Sequence, residues 1–479
     1  MRTRIPIAVG SRTAAALATV FASVLVAAGG AHSASNTPSE ASVESLAAAA
    51  AAAPVTWSRT YGGAADGQGL HDLRLLPGGR LAVAGYSESF GGPGQFNWLM
   101  KLDLATGGVH TDRVSSSVMG GFTDGAALAA DGGALFLGRD VIDIQLKHDA
   151  WVQRVDAAGH VEWSRGFTRP GTGRHFLFDA AELSDGSWIA VGATGELDVP
   201  PQSAWIVRLT ATGDVIWQYQ YGGGSVESAR AVTPTLDGGF VVAGATNSAG
   251  AGGDDVWVMK IDALGQIKWQ KTVGGFDADQ AEDVVELADG SLVVVGSTNS
   301  LSASGHAPWI LRFNGGGALL WQRVVDSDVW GDLGGVARTD DGNFVVVGRV
   351  GEPGFQSNDM WCAKFDAATG ATFWQNAYEG DLGDFGSAVL PVSGPGIQPG
   401  FVVGGTWGWG FPGEAIWLNR TTANGGVRCD LMRTTTFELK RPKIKIQSGP
   451  TVRLPGLPVL EDPGQQENDG GATVIDVCQ

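Results

Sequence analysis

The sequence predicts an all-β protein, a seven-bladed β-propeller in which four-stranded antiparallel sheets are arranged around a ring. Two series of tryptophans support this prediction. The first recurs at gaps of 53, 54, 52, 52, 52 and 56 residues. It comprises Trp98, Trp151, Trp205, Trp257, Trp309, Trp361 and Trp417. The second comprises Trp57, Trp163, Trp217, Trp269, Trp321 and Trp374. Self-similarity at this period indicates repeated supersecondary units rather than independent domains.

One copy of the repeat, residues 228–275, shows the elements of a unit. Its apolar, β-prone runs are short and are separated by turn signals such as Asp237-Gly238-Gly239. The predicted strands are 231–236, 240–244, 256–262 and 267–273. Short strands joined by tight turns are typical of an antiparallel meander.

A single meander cannot bury both of its faces, but seven meanders packed radially can. We expect the tryptophans between the sheets, where each buries ~150–250 Å². The propeller is predicted to span residues 55–430. The segment 55–63 resembles a fourth strand that lacks the first three, so it can close the ring. Residues 427–429 are the alternative closing strand.

Both ends of the chain depart from the repeat. Residues 1–33 have the basic start, the apolar stretch and the small residues of a signal peptide, so we expect a secreted or periplasmic protein. Residues 34–54 are an Ala/Ser-rich segment, predicted to be a linker. Residues 431–479 form a C-terminal tail that can run along the ring as extra strands. Cys429 and Cys478 are the candidate disulfide pair, and Cys362 is predicted to be a buried thiol.

The charge narrows the range of partners. A net charge of −18 argues against nucleic acid and anionic membranes, because both need basic surfaces. We expect a monomer without a membrane span in the mature chain. A protein or a carbohydrate is the predicted partner.

The repeats resemble those of secreted bacterial β-propeller proteins. The residues that match best are Trp217-Gln218-Tyr219-Gln220-Tyr221-Gly222-Gly223 and the segment 237–269. Part of the unit also resembles the tryptophan-docking motif of quinoprotein propellers, clearest at Ala363 to Trp374. The resemblance implies a structural clasp between blades. The catalytic quinoproteins usually have eight blades and an adjacent cysteine pair, whereas this sequence has seven copies and no adjacent cysteines.

The candidate site is the face formed by the fourth-to-first connections and the second-to-third loops, because binding residues concentrate on variable loops above a rigid scaffold. The predicted ligand-binding acids are Asp66, Asp124, Asp179, Glu227, Asp279, Asp332 and Asp384. Trp407 and Trp409 are the predicted aromatic contacts, suited to stacking on a sugar or a protein. No cofactor is predicted, although grouped carboxylates could bind calcium. Asp is also simply a common loop residue.

The sequence contains neither a G-x-S-x-G nor an H-E-x-x-H motif. We therefore predict a non-catalytic binding module. The alternative is an extracellular polysaccharide-active enzyme that uses two loop carboxylates as acid and base. A pyrroloquinoline quinone enzyme is a third, weaker alternative.

Overall fold

The computed structural model describes residues 55–62, 67–89, 94–116, 121–141, 148–167, 173–196, 199–325, 329–351, 358–380, 383–408 and 414–427, together with seven short strands in the tail. Every regular element among these residues is a β-strand. The protein is therefore all-β over its described part, as the sequence predicts.

Four sheets each contain four consecutive strands that pair antiparallel with their neighbours. The first has β2 (Gln68–Leu76), β3 (Arg80–Ser87), β4 (Phe96–Asp103) and β5 (Val109–Ser116). The second has β14 (Glu227–Pro234), β15 (Phe240–Thr246), β16 (Asp255–Ile261) and β17 (Ile267–Val273). The third has β18 (Asp279–Glu286), β19 (Leu292–Thr298), β20 (Ala307–Phe313) and β21 (Leu319–Val325). The fourth has β22 (Trp330–Arg338), β23 (Phe344–Gly351), β24 (Asp359–Phe365) and β25 (Thr372–Tyr378).

A larger sheet contains two further meanders. One has β6 (Phe122–Leu128), β7 (Ala134–Val141), β8 (His148–Val155) and β9 (Val161–Phe167). The other has β10 (Gly173–Glu182), β11 (Trp188–Glu196), β12 (Val199–Leu209) and β13 (Val215–Gly222). A single parallel pair, Arg174 with His148, joins them. The predicted number of blades therefore depends on whether this sheet counts as one blade or two.

The remaining sheet contains both ends of the ring. It has β26 (Phe385–Gly394), β27 (Ile397–Trp407), β28 (Ala415–Thr422) and β1 (Trp57–Gly62). β1 pairs antiparallel with β28, from Trp57 opposite Arg420 to Tyr61 opposite Ile416. Of the two candidate closing strands, the N-terminal one therefore takes the fourth place. Val427 lies outside any strand, and Cys429 lies outside the described residues.

The tail adds one short strand to the outer edge of each meander. These strands are β29 (Met432–Thr434), β30 (Leu439–Lys440), β31 (Ile446–Gln447), β32 (Val452–Pro455), β33 (Val459–Glu461), β34 (Glu467–Asp469) and β35 (Thr473–Asp476). In this order they pair antiparallel with β25, β21, β17, β13, β9, β5 and β1.

The innermost strands contact one another around a closed circle. In order, the contacts are β2 with β6, β6 with β10, β10 with β14, β14 with β18, β18 with β22, β22 with β26, and β26 with β2. A circle of antiparallel sheets joined at their inner strands is the architecture of a β-propeller.

The two tryptophan series have different roles. Members of the first lie on the third strands and are buried between sheets, with Trp98, Trp205, Trp309, Trp361 and Trp417 at 0% exposure. Members of the second lie on the fourth strands and form clasps to the next meander. The indole N–H of Trp269, for example, donates to the carbonyl oxygen of Gly315 at 3.0 Å. Trp57, Trp163, Trp217 and Trp321 make equivalent bonds across the sheets.

A β-bulge occurs at the same place in every innermost strand. In β14, for example, the pairing with β15 skips Arg230. The carbonyl oxygen two residues before the bulge residue points at a glycine on the second strand. A Cβ on Gly244 would lie closer than 3.0 Å to the Ser228 carbonyl oxygen. The other glycines in this contact are Gly85, Gly138, Gly192, Gly296, Gly348 and Gly405.

Replacing one of these glycines tests the contact. We expect Gly244→Ala to destabilise the protein by at least ~1–3 kcal/mol, because the new methyl group overlaps a backbone carbonyl that cannot move aside. Gly224→Ala is the matched control, since a Cβ there meets nothing within 4 Å. Thermal unfolding measures the difference, and equal midpoints for the two variants would contradict the prediction.

The clasps can be tested with two matched tryptophans. Trp269 and Trp374 are both half-buried on equivalent strands. The indole N–H of Trp374, however, has no hydrogen-bond partner among the described residues. We expect Trp269→Phe to cost ~0.5–1.5 kcal/mol more than Trp374→Phe, because only the first leaves a carbonyl without its donor. Equal losses of unfolding free energy would show that the hydrogen bond is unimportant.

Candidate functional site: the axial cavity

The innermost strands surround a cavity of about 640 Å³. Residues from β2, β6, β10, β14, β18, β22 and β26 all contribute to its wall. This volume is in the range of small-molecule sites. The cavity is therefore the candidate functional site.

The bulge residues of the innermost strands all line this cavity, and we call them the bulge ring. They are His71, Asp124, Phe178, Arg230, Glu282, Gly334 and Ser387. Because a bulge residue has no direct partner on the neighbouring strand, its side chain is re-aimed relative to the regular pleat. The same backbone geometry thus presents a different residue type at each position, six of them with a side chain.

Arg230 and Phe178 are neighbours in the bulge ring. The guanidinium of Arg230 lies 4.7 Å from the centroid of the Phe178 ring. No carboxylate among the described residues lies within ion-pair distance of Arg230. Its donors are therefore available to a ligand, on a platform fixed by the aromatic ring.

Two carboxyl groups of the bulge ring lie in a poorly solvated environment. Asp124 accepts a hydrogen bond from Arg139 at 2.6 Å. Burial nevertheless raises the pKa of Asp124 to about 7, against the attraction of Arg139. Burial also raises the pKa of Glu282, while the charge of Arg230 lowers it. Asp124 can therefore exchange a proton with a ligand near neutral pH, and both carboxyl groups can form hydrogen bonds with one.

His71 and Tyr86 form another part of the wall. Their ring centroids are 5.6 Å apart. Burial lowers the pKa of His71 to about 4, so the imidazole is neutral at pH 7. A neutral imidazole has one donor and one acceptor nitrogen, and it adds no charge to the cavity.

Asp332 is held firmly at the edge of the cavity. Arg349 donates to Asp332 Oδ2 from Nε at 2.9 Å and from Nη2 at 2.6 Å. Nε2 of His306 lies 3.5 Å from the same oxygen. The residue is 8% exposed, and its Oδ1 has no hydrogen-bond partner among the described residues.

Three further carboxylates follow bulge residues in the chain, and we call them the inner carboxylates. Asp72, Asp179 and Asp283 each accept a backbone N–H from the next innermost strand. The donors are Leu128, Val232 and Val336, at 2.7, 2.8 and 2.7 Å. These bonds link neighbouring innermost strands at three places around the cavity.

The inner carboxylates also influence one another across the cavity. Burial raises the pKa of Asp72 to about 6, of Asp179 to about 8 and of Asp283 to about 7. Repulsion from Asp283 and Asp72 adds to the increase at Asp179. At neutral pH Asp179, and Asp283 in part, therefore retain protons that isolated carboxyl groups would release.

Three of the predicted acids lie at the start of an innermost strand or just before it. There they accept hydrogen bonds from the protein itself. Glu227 accepts bonds from Gly223 N and Thr246 Oγ1, both at 3.1 Å. Asp279 accepts bonds from Gly275 N at 2.7 Å and from Ser300 Oγ at 2.8 Å. The backbone N–H of Gly408 donates to Asp384 at 3.2 Å. These contacts fix the fourth-to-first connections.

The remaining predicted residues are not part of the cavity wall as described. Trp407 packs edge-to-face on Trp417, with ring centroids 4.9 Å apart, so its indole contributes to the core. Asp66, Trp409, Cys429 and Cys478 lie outside the described residues. Of the predicted acids, the structure brings Asp124, Asp179 and Asp332 together in the cavity wall.

Arg230, Phe178 and His71 were missed because the sequence search concentrated on loop acids. A signal was nevertheless present. In five copies the bulge residue stands eight positions before the turn glycine, as Arg230 stands before Gly238. At this position of the repeat the residue type differs from copy to copy, whereas the turn glycine is kept in these five copies.

No group of three or more His, Cys, Asp or Glu side chains within the described ranges is placed to hold a metal ion. Calcium binding therefore stays a prediction from the sequence. Within the same ranges, no helix is long and apolar enough to cross a membrane.

Comparison with known proteins gives only fold-level likeness. No known protein family and no curated protein matches the sequence. The quinohemoprotein alcohol dehydrogenase ADHIIG from Pseudomonas putida HK5 is similar with a TM-score of 0.41, 11% identity, and coverage of 78% of this chain and 76% of that one. The Pan2 WD40 domain of Neurospora crassa gives 0.38 and 11%, covering 73% and 88%. The NanB sialidase of Streptococcus pneumoniae gives 0.39 and 9%, covering 75% and 68%. Matches this remote identify neither a ligand nor a reaction.

The inner carboxylates predict an unusual pH dependence of stability. An unfolded Asp has a pKa of about 3.9, whereas Asp179 in the folded protein has about 8. Between these values the folded protein binds more protons than the unfolded chain. The contribution of Asp179 to the free energy of unfolding therefore falls as the pH rises from about 4 to about 8, whereas His71 acts in the opposite direction below about pH 6.5. Asp72 and Asp283 act in the same direction as Asp179.

Asp179→Asn should weaken this dependence, because it removes the ionisable group but keeps an oxygen for Val232 N. Denaturant midpoints measured between about pH 5 and about pH 8 test it. Asp277→Asn, at an exposed loop position, is the control and should leave the slope unchanged. A wild-type stability that increases across this interval would contradict the assignment.

Proposed function

We propose that this protein is an exported, non-catalytic binding module whose ligand occupies the axial cavity and contacts the bulge ring. The two meanders of the largest sheet are taken as two blades, which makes the propeller seven-bladed. The signal-like residues 1–33 support export to the periplasm or the exterior. Binding at the axis of a propeller suits a monomer, since one ring supplies the whole cavity wall.

One observation supports the site above all others. The bulge ring places seven different residue types, six side chains and one glycine, in equivalent backbone settings around one cavity. Neighbouring positions of the repeat keep their residue type because packing requires it, as with the glycines opposite each bulge. The position that faces the cavity is free of that constraint, so its varied chemistry is available for recognition.

The chemistry of the wall favours a small carbohydrate. Carboxylates such as Asp124 and Glu282 accept hydrogen bonds from hydroxyl groups, and Arg230 donates them. Phe178, Phe385 and Tyr86 also line the cavity and add apolar surface for the C–H groups of a sugar ring. Among the described wall residues, carboxyl groups outnumber the one guanidinium without an ion pair, and those that are ionised repel anionic ligands. We therefore propose a neutral or amino sugar unit rather than a uronic acid.

An array of neutral, amino and uronic-acid oligosaccharides tests this function. The mature protein should bind members of the first two groups. Arg230→Met should weaken that binding roughly tenfold or more, because a hydrogen bond to a charged donor contributes ~1.5–3 kcal/mol.

Arg338→Met is the matched control for that experiment. Arg338 is also on an innermost strand, β22, but it is exposed and lies outside the cavity wall. It should bind like the wild type. Equal loss in both variants, or binding confined to uronic acids, would contradict the proposal.

A polysaccharide-active enzyme is the second candidate, because Asp124 has a pKa of about 7 and could act as a general acid near neutral pH. Release of reducing ends from a bound oligosaccharide, lost in Asp124→Asn, would favour the enzyme over the binding module. The quinoprotein alternative has less support, since a tryptophan clasp between sheets is a structural feature that does not by itself imply a cofactor. It would require a coloured protein that becomes active with added quinone.

A further inference from the structure

We propose that the C-terminal tail is a belt that occupies a strand-binding surface on the rim of the propeller and holds the ring closed. This inference concerns the rim and is independent of any ligand in the axial cavity. The belt is defined as the strands β29 to β35. Its binding surface is formed by the outer edges of β25, β21, β17, β13, β9, β5 and β1.

The order of pairing shows that the tail encircles the ring. The chain leaves β28 at Thr422, but β1 already occupies the outer edge of that sheet. The tail therefore pairs first with β25 of the preceding sheet. It then contacts each earlier meander in turn and ends on β1. It thus travels round the rim in the direction opposite to the repeats.

The spacing of the belt strands fits this path. They begin at residues 432, 439, 446, 452, 459, 467 and 473, so each step is six to eight residues. At ~3.3 Å per extended residue, one step can reach at most ~20–26 Å. The tail thus has its own period of about seven residues, although its composition differs from that of the ring. One belt strand is supplied for each meander, with none left over.

The belt reaches only part of each outer strand. On β13 it pairs from Tyr219 to Gly222, which is the end nearer the fourth-to-first connection. The same end is paired on β17 and β25. Unpaired strand edges promote association with other chains. The belt therefore covers the edge on the side of the rim nearest the connections that lead into the cavity wall.

The end of the belt lies over the point of ring closure. β1 is held between β28 on one side and β35 on the other, with Thr60 opposite both Trp417 and Ile475. No covalent link within the described ring joins β1 to β28. The ring can therefore open only if β1 separates from β28. β35 opposes this opening, because it pairs β1 with a tail whose six other strands pair with the other outer strands.

A cleavable full-length protein tests the belt. A protease recognition sequence replaces residues 428–431, which also removes Cys429, so after cleavage the tail is held only by noncovalent contacts. We expect the cleaved tail to co-elute with the ring in size-exclusion chromatography and to separate only under denaturing conditions. The freed ring should then self-associate through its uncovered edges. A tail that elutes alone from a monomeric ring with an unchanged thermal midpoint would overturn the proposal.

A second variant separates the belt from general effects of cleavage. Val474→Pro with Ile475→Pro removes two successive amides from β35, and one of the two must face β1 because successive amides point to opposite sides. We expect a lower thermal midpoint than in the wild type, with amides of β1 exchanging faster with deuterium. Gln479→Pro, beyond the last belt strand, should change neither. Unchanged exchange at Arg59 to Gly62 in the double variant would also overturn the proposal.

Discussion

The close approach of a backbone carbonyl to a glycine on the neighbouring strand determines much of this structure. In each meander the bulge of the innermost strand brings its carbonyl oxygen to where a side chain of the second strand would otherwise lie. Only glycine leaves that space, which explains why Gly244 and its counterparts recur at the same place within the second strands. The same bulge re-aims the side chain of the bulge residue toward the cavity. One backbone constraint, repeated around the ring, therefore defines both the packing and the cavity wall.

The sequence allowed the strands, the turns and the clasping tryptophans to be predicted, because each leaves a local and repeated signal. Asp-Gly pairs mark the first turns, and tryptophan spacing marks the third and fourth strands. The recurrent glycine is visible in the sequence, but its cause is not. A side chain there would clash with a carbonyl oxygen of the neighbouring strand, and that neighbour is known only from the fold. Which of the acidic residues face the cavity was harder still to predict. Glu227 and Arg230 are three residues apart, yet the first is bound by backbone and hydroxyl groups while the second faces the cavity. Arg230 is the bulge residue, and the bulge re-aims its side chain.

The rim and the axis show two ways of using a repeated scaffold. At the rim the belt strands bind through backbone groups, so a tail without the repeat's sequence pattern can pair with every meander. This is why its strands, of two to four residues, gave no reliable signal in the sequence. At the axis, recognition depends on side chains, so differences between copies matter. Asp72, Asp179 and Asp283 add a third device, because they tie neighbouring innermost strands together without occupying the bulge positions.

The central claim is that the bulge ring is where this protein binds its ligand. The most direct measurement is a crystal structure of the mature protein soaked with a mixture of neutral and amino oligosaccharides. The account predicts electron density in the axial cavity, with hydroxyl groups within hydrogen-bond distance of Arg230 and a sugar ring against Phe178. Density at the short-turn face or along the rim, with the axial cavity filled only by water, would contradict it.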